Sequence, residues 1–186
     1  MNSQPVTPIE PMTLDEYLDF ERQSPVRHEF VEGEVYAFAG ASRRHSLIVS
    51  NISYWLVGAA RGGPCEVHTN DVKLRVTERN VYYPDVMVVC DPEDVDDLIV
   101  SRPCLVVEVI SPSTQLVDRR EKLFFYRQIE SLEGYLIVEQ NERRVIYHSR
   151  SADVGWARAE LSGSGRLSLT CPETELSLDQ IYEGID

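Results

Sequence analysis

Long apolar runs and export signals are missing from this 186-residue sequence. A membrane-spanning helix needs about 18 uninterrupted apolar residues, and no segment approaches that length. Residues 1–5 contain no basic segment leading into an apolar one, so we expect a cytoplasmic protein without a membrane partner. The sequence has no Gly-x-Ser-x-Gly turn and no glycine-rich phosphate-binding loop. These absences argue against a serine hydrolase of that type and against a P-loop enzyme.

Cysteines are few and widely spaced. The four that occur, Cys65, Cys90, Cys104 and Cys171, show no CxxC or Cys/His spacing of the kind that marks a zinc site. Three of them lie in apolar, strand-like segments. We therefore expect reduced, buried cysteines that act as small hydrophobic residues.

Basic residues are also scarce. The chain has 18 Lys and Arg against 31 Asp and Glu, a formal net charge of −13 at pH 7. Proteins that hold nucleic acid mainly by phosphate contacts usually carry a basic face, so this charge counts against tight, non-specific DNA binding. It does not exclude a nuclease, because a divalent metal ion neutralises part of an acidic cleft and basic residues can cluster locally, as in residues 119–122.

The sequence does contain the helix and strand patterns of one domain, which we expect to span residues 1–186. A capping box at Thr13 and Glu16 predicts the first helix. Apolar residues that recur every three or four positions between residues 42 and 60 predict the second. The turn Glu32-Gly33 predicts a hairpin over 27–39. Helices are predicted at 13–22, 42–60, 118–129 and 178–182, an acidic loop at 91–97, and strands at 66–69, 72–76, 81–90, 104–110, 135–138, 145–148, 156–161 and 167–169. This order favours an α/β or α+β fold in which helices flank a mixed sheet.

Two predicted strands each carry one acid in an otherwise apolar run. These acids are Asp85, in residues 83–89, and Glu108, in residues 105–112. An unpaired buried carboxylate costs several kcal/mol or changes its protonation state, so two of them suggest a cation between them. Mg²⁺ prefers oxygen ligands and usually takes one or two protein carboxylates. The sequence therefore predicts a Mg²⁺ or Mn²⁺ site on Asp85 and Glu108.

A phosphoryl-transfer site also needs a positively charged group, because negative charge builds up in the transition state. Lys122 is the first candidate, since it lies in the helix after the second strand and its long side chain could reach back over the strand end. Lys73, on the strand before Asp85, is the second. By contrast, the residues alone favour solvent-facing positions for Glu29, Glu32 and Glu34 of the hairpin, and we expect His45 to lie on the surface or cap its helix.

Several of these residues match a known family. Pro84-Asp85, then Glu108 within Leu-Val-Val-Glu-Val-Ile-Ser-Pro-Ser-Thr, then Asp118, Lys122 and Tyr126 resemble the Uma-two family of restriction endonuclease-like proteins. The resemblance extends over nearly the full chain. It implies a restriction endonuclease-like core of the PD-(D/E)XK type, with a mixed central β-sheet flanked by helices and a divalent metal ion at the strand pair.

The resemblance also implies roles for individual residues. Asp85 corresponds to the first metal ligand, Glu108 to the second, and Glu34 to a helper acid supplied by an early element. The family pattern usually places a lysine two residues after the second acid, where this chain has Ile110. A lysine supplied from the following helix would be similar to the migrated lysine of other members of the superfamily, which favours Lys122.

Three functions are compatible with these features. The leading hypothesis is a metal-dependent endonuclease that hydrolyses phosphodiester bonds of nucleic acid, with DNA as the first expectation and a homodimer if the task is duplex cleavage. The first alternative is a non-catalytic binding or regulatory protein that retains the nuclease fold, which Ile110 and the charge of −13 both favour. The second is a hydrolase that uses Glu34 and Glu108 as an acid/base pair on another substrate.

Overall fold

The computed structural model describes residues 11–37, 41–110 and 121–185. These residues form four helices: α1 (Leu14–Gln23), α2 (Arg43–Ala60), α3 (Leu123–Tyr126) and α4 (Leu178–Ile181). Within the described ranges, no helix combines the length and apolar character needed to cross a membrane.

The strands form three sheets. The first sheet has the order β2-β1-β5-β4-β7 and contains β1 (His28–Val31), β2 (Glu34–Ala37), β4 (Lys73–Thr77), β5 (Asn80–Tyr82) and β7 (Ile99–Val100). The second has the order β11-β10-β9-β8-β6-β3 and contains β3 (Glu66–Thr69), β6 (Val86–Val89), β8 (Leu105–Ile110), β9 (Gly134–Glu139), β10 (Arg144–Ser151) and β11 (Gly155–Ser162). A hairpin of β12 (Arg166–Thr170) and β13 (Glu173–Ser177) forms the third. Both larger sheets are mixed, because β4 pairs with β7 and β8 with β9 in parallel while their other pairings are antiparallel.

Local signals set the first two helices and the hairpin as predicted. The Thr13 side chain accepts a hydrogen bond from the backbone of Glu16, whose carboxylate accepts one from the Thr13 backbone, so the capping box is complete. Glu32 and Gly33 have φ of 53° and 92°, the paired positive values of a two-residue type I′ turn. A Cβ at Gly33 would overlap the Cβ of Pro11, so this turn position requires glycine.

One predicted strand is wrong in an informative way. Residues 81–90 were expected to form a single strand, but the chain leaves the first sheet after Tyr82 and enters the second at Val86. Pro84 explains the break, because proline has no N–H for a strand ladder and restricts the residue before it. Asp85 therefore lies where the chain crosses from one sheet to the other, rather than inside a strand.

Other differences concern short elements. The helix predicted at 118–129 ends at Tyr126, and its beginning falls partly outside the described residues. Strands β7 and β13 were not predicted. The acidic segment 91–97 is a loop as expected. Within it, Asp94 accepts hydrogen bonds from the backbone N–H groups of Ser101 and Arg102 at 2.9 and 2.6 Å.

Apolar packing places the two larger sheets face to face. Side chains of the first sheet, such as Leu74 and Tyr82, pack against Met87, Val106 and Ile137 of the second. On the outer face of the second sheet, helices α2 and α4 and the β12–β13 hairpin form a separate core. Helix α1 covers the outer face of the first sheet. The predicted fold class, a mixed sheet flanked by helices, is confirmed.

The expectation of separate, reduced cysteines is wrong. The structure pairs Cys65 with Cys90 and Cys104 with Cys171 as disulfides. The two pairs also contact each other, because the Sγ atom of Cys90 lies 3.1 Å from that of Cys171 and 3.5 Å from that of Cys104. Residues up to 106 positions apart converge here through strand pairing, which sequence spacing does not reveal.

Candidate functional site

Asp85 is buried at the crossing between the two larger sheets, with 5% of its surface exposed. One carboxylate oxygen, Oδ2, accepts a hydrogen bond from the backbone N–H of Val109 at 2.7 Å. The same oxygen lies 3.1 Å from Nε2 of His45, in the first turn of α2. Strands β6 and β8 pair Val86 with Val107, so continuing this register places Asp85 across from Glu108.

Glu108 lies in the middle of β8 and is 4% exposed. Its Oε1 accepts hydrogen bonds from Nζ of Lys122 at 3.1 Å and from the hydroxyl of Tyr126 at 2.8 Å. Burial, followed by the charge of Glu108, raises the pKa of Tyr126 well above its usual value. The tyrosine is therefore a neutral donor that orients Glu108 at any physiological pH.

Lys122 forms ion pairs with acids of both larger sheets. Besides Glu108 of the second sheet, its Nζ contacts Oε1 of Glu29, on β1 of the first sheet, at 3.0 Å. The ammonium also lies 5.3 Å from the ring centroid of Tyr82, within the range of a cation–π contact. The side chains of Lys122, Glu108 and Glu29 are 7%, 6% and 17% exposed, so these contacts are little weakened by solvent.

Glu34 and Lys73 make contacts with residues other than Asp85, Glu108 and Lys122. Glu34 is on the exposed strand β2, where its carboxylate accepts a 2.6 Å hydrogen bond from the hydroxyl of Tyr36. Lys73 has its Nζ 5.8 Å from the ring centroid of Tyr83. Burial lowers the pKa of Lys73, and the charge of Glu21 opposes that shift. The structure thus brings Asp85, Glu108 and Lys122 together. Glu34 instead contacts Tyr36, which pairs with Glu29 across the hairpin, and Lys73 lies against Tyr83.

Sequence reasoning missed two members of the group, Glu29 and His45. Glu29 was expected to face solvent, but it is largely buried against Lys122. In β1, alternation puts Glu29 on the opposite face from the fully buried Phe30, towards the second sheet. His45 was expected to cap a helix or lie on its surface; instead it is three and four positions before the buried residues Ile48 and Val49, and so shares their inward face. These two periodicities were the available signals.

The carboxylates of the group are of the chemical type that binds a divalent cation. Glu29, Asp85 and Glu108 supply carboxylate oxygens, the ligand type that Mg²⁺ and Mn²⁺ prefer. Together with the Lys122 ammonium, these four side chains carry a formal charge of −2, which one divalent ion would balance. The ligand atoms of Glu29, Asp85 and Glu108 do not all lie within 4.8 Å of one another, and neither do those of His45, Asp85 and Glu108. Among the described residues, the one group that meets this distance is formed by cysteines.

The chain is similar to a known family along most of its length. The family model Uma2, described as "Putative restriction endonuclease", matches residues 14–179. Two proteins of Synechocystis sp. are similar in sequence. "Uncharacterized protein slr1290" is 33% identical over 183 residues, which cover 97% of this chain and 96% of that protein. "Uncharacterized protein sll1609" is 35% identical over 156 residues, which cover 82% of this chain and 88% of that protein.

A solved structure shares the fold. The crystal structure of "a putative nuclease belonging to DUF820" from Anabaena variabilis matches with a TM-score of 0.75, covering 92% of this chain and 97% of that chain. The two sequences are 14% identical, so the likeness shows a common arrangement of helices and strands. It confirms the fold expected from the sequence.

Proposed function

This chain belongs to the Uma2 family of restriction endonuclease-like proteins, and we propose that it is a nuclease that hydrolyses phosphodiester bonds with Mg²⁺ or Mn²⁺. The observation that carries the proposal is the buried group at the junction of the two sheets. Within it, Lys122 lies 3.1 Å from Glu108, and Asp85 is held on the strand that carries Glu108. A purely structural role does not explain so many buried charges, because removing each ion from water costs several kcal/mol of folding free energy.

Asp85 and Glu108 are the proposed metal ligands, with Glu29 as the third acid of the group. When bound, the divalent ion would make an attacking water more acidic and stabilise charge on the phosphate oxygens. Lys122 places a positive charge next to Glu108, where it would stabilise negative charge in the transition state. His45 fixes the orientation of the Asp85 carboxylate, and Tyr126 fixes that of Glu108.

DNA is the proposed substrate, in keeping with the family description "restriction endonuclease". The net charge of −13 favours a nuclease that depends on the metal ion and on local contacts for phosphate binding, rather than on a broad basic face. We therefore expect weak binding without a divalent cation. Homodimerisation for duplex cleavage is part of the proposal, and light scattering with and without DNA measures it.

A non-catalytic protein with the nuclease fold is the second candidate. Ile110 favours it, because this residue occupies the usual lysine position and is 1% exposed in the core between the sheets. Such a protein would lack cleavage activity although its acidic group still bound a metal ion. Metal binding and cleavage therefore need separate measurements.

The experiment compares the parent with Asp85→Asn and Glu108→Gln on single- and double-stranded DNA and RNA, with Mg²⁺, with Mn²⁺ and with EDTA. Asp153→Asn is the matched control, because Asp153 is exposed in the turn between β10 and β11. We expect metal-dependent cleavage of DNA that falls by about 100-fold or more in both site variants, a loss typical of removing one charge-stabilising group, and is unchanged in the control. Calorimetry with Mn²⁺ measures metal binding in each variant.

Two outcomes would overturn the nuclease proposal. Full activity in Asp85→Asn would remove this residue from the site. A parent that binds Mn²⁺ through Asp85 but cuts none of the four substrates would support the non-catalytic alternative.

A further inference from the structure

The four cysteines form one cluster at the far end of the second sheet from the acidic group. Asp85 precedes β6 and Cys90 follows it, five residues later. At about 3.3 Å per strand residue, the two sites are about 16 Å apart. The cysteine cluster is therefore separate from the proposed nuclease site.

The sulfur positions are those of a ligand set. The Sγ atom of Cys90 lies 3.1 Å from Sγ of Cys171 and 3.5 Å from Sγ of Cys104, which belong to the other disulfide. The Sγ atoms of Cys65, Cys90 and Cys171 all lie within 4.8 Å of one another. In a tetrahedral zinc site with Zn–S bonds of about 2.3 Å, neighbouring sulfurs are about 3.8 Å apart. Cys104 lies outside this group of three but is bonded to Cys171 and has its Sγ 3.5 Å from that of Cys90. Reduction of the two disulfides would let the bonded sulfurs separate to the spacing of a zinc site.

Regular secondary structure presents these side chains. Cys65 immediately precedes β3 and Cys90 immediately follows β6. Glu66 pairs with Val89, so extending this register by one residue places the two cysteines across from each other. Cys104 precedes β8, where its backbone N–H donates a 2.8 Å hydrogen bond to the carbonyl of Val88. Cys171 follows β12. Ligands fixed in this way lose little freedom when a metal ion binds.

Burial leaves the cluster open on one side. Cys104 and Cys171 are buried, whereas Cys65 and Cys90 are half-buried. A buried pair and a more accessible pair give an ion both a protected position and a path of entry from solvent.

We propose that these four cysteines, when their disulfides are reduced, bind one Zn²⁺ ion as a structural tetrathiolate site. Reduction of the two disulfides takes four electrons and four protons, which two equivalents of a dithiol reductant supply as they become disulfides themselves. Zinc then binds four thiolates, and four protons are released. The site fastens the β12–β13 hairpin to the ends of β3, β6 and β8.

The test measures zinc and thiols in full-length protein purified in dithiothreitol without a chelator. We expect one zinc per chain by mass spectrometry of the metal, and four thiols that react with a disulfide reagent only after chelation and unfolding. Removal of zinc should lower the Tm. Addition of Co²⁺ alone to the reduced, zinc-free protein should give the sulfur-to-cobalt charge-transfer bands of a thiolate site.

Variants locate the ion. Cys171→Ser should lose the zinc, whereas Asp85→Asn should retain one zinc per chain, because the acidic group is not involved. If Cys171→Ser does not fold, the zinc content and cobalt spectrum of the parent decide the question. Zinc-free protein with four reactive thiols, disulfides that persist in reductant, or loss of zinc in Asp85→Asn would each overturn the proposal. None of these readouts depends on nuclease activity.

Discussion

Replacing Lys122 with methionine tests whether the ion contacts between the two larger sheets stabilise the fold. Methionine keeps most of the apolar stem of lysine and removes the ammonium. In the parent this ammonium lies 3.0 Å from Glu29 and 3.1 Å from Glu108, and all three side chains are largely buried. The variant therefore leaves two acids close together in a region that excludes most water.

The expected loss is large. Removing one partner of a buried ion pair typically costs about 3–5 kcal/mol, because the remaining charge is left uncompensated. Domains of this size are stable by about 5–15 kcal/mol, so Lys122→Met should lose roughly a fifth or more of the free energy of unfolding. It should also abolish cleavage, if Lys122 acts at the phosphate as proposed.

Urea unfolding followed by circular dichroism measures this loss. Lys73→Met is a matched control, because Lys73 is the other lysine of the sequence and is only half-buried, so its loss should stay below about 1 kcal/mol. Adding Glu29→Gln to Lys122→Met should recover part of the loss, with a coupling of about 0.5–3 kcal/mol. If Lys122→Met is as stable as the parent, or if the coupling is zero, the ion contacts do not hold the sheets together and the reasoning fails.

Two further predictions concern a turn and a histidine. Gly33→Ala should lower the unfolding free energy by at least about 1–2 kcal/mol, because φ is 92° and the new Cβ would overlap Pro11. The control Gly58→Ala, on the open surface of α2, should be neutral or stabilising. Equal stabilities of the two variants in urea unfolding would contradict this prediction. Burial and then the charge of Arg127 lower the pKa of His148 to about 4. The unfolded chain binds a proton on His148 near pH 6.5 and the folded chain does not, so the stability that this difference contributes above pH 6.5 should be lost as the pH falls towards 4. In His148→Gln the free energy of unfolding should depend less on pH over this range. An NMR titration of the His148 imidazole with a midpoint near 6.5 would disprove the lowered pKa.

The sequence predicted those elements whose causes are local. The capping box at Thr13 and the two-residue turn at Glu32 act within four residues, and both appear in the structure as expected. Helix α2 follows from an apolar period that needs no knowledge of its partners. The proximity of Asp85 to the strand that carries Glu108 could also be predicted from the sequence, because two acids in apolar runs are unusual whatever the fold.

What the sequence did not predict depends on contacts between distant segments. Glu29 and Glu34 both lie in one hairpin, and only the packing of the first sheet onto the second buries Glu29 and leaves Glu34 exposed. Cys65 and Cys171 carry no motif, because their proximity arises from strand order rather than from spacing. Pro84 was a visible warning against a strand through Asp85, but the change of sheet at that point requires the full topology.

The segment Tyr83-Pro84-Asp85, where the chain crosses between the two larger sheets, constrains the length of the chain at this point. Three residues span at most about 10 Å, so the connection between the last residue of β5 and the first of β6 is short. One inserted residue would turn Asp85 to the other side of the chain and shift it against Val109, whereas a substitution of Tyr83 would leave the span intact. Over evolutionary time, this segment should therefore tolerate few insertions or deletions.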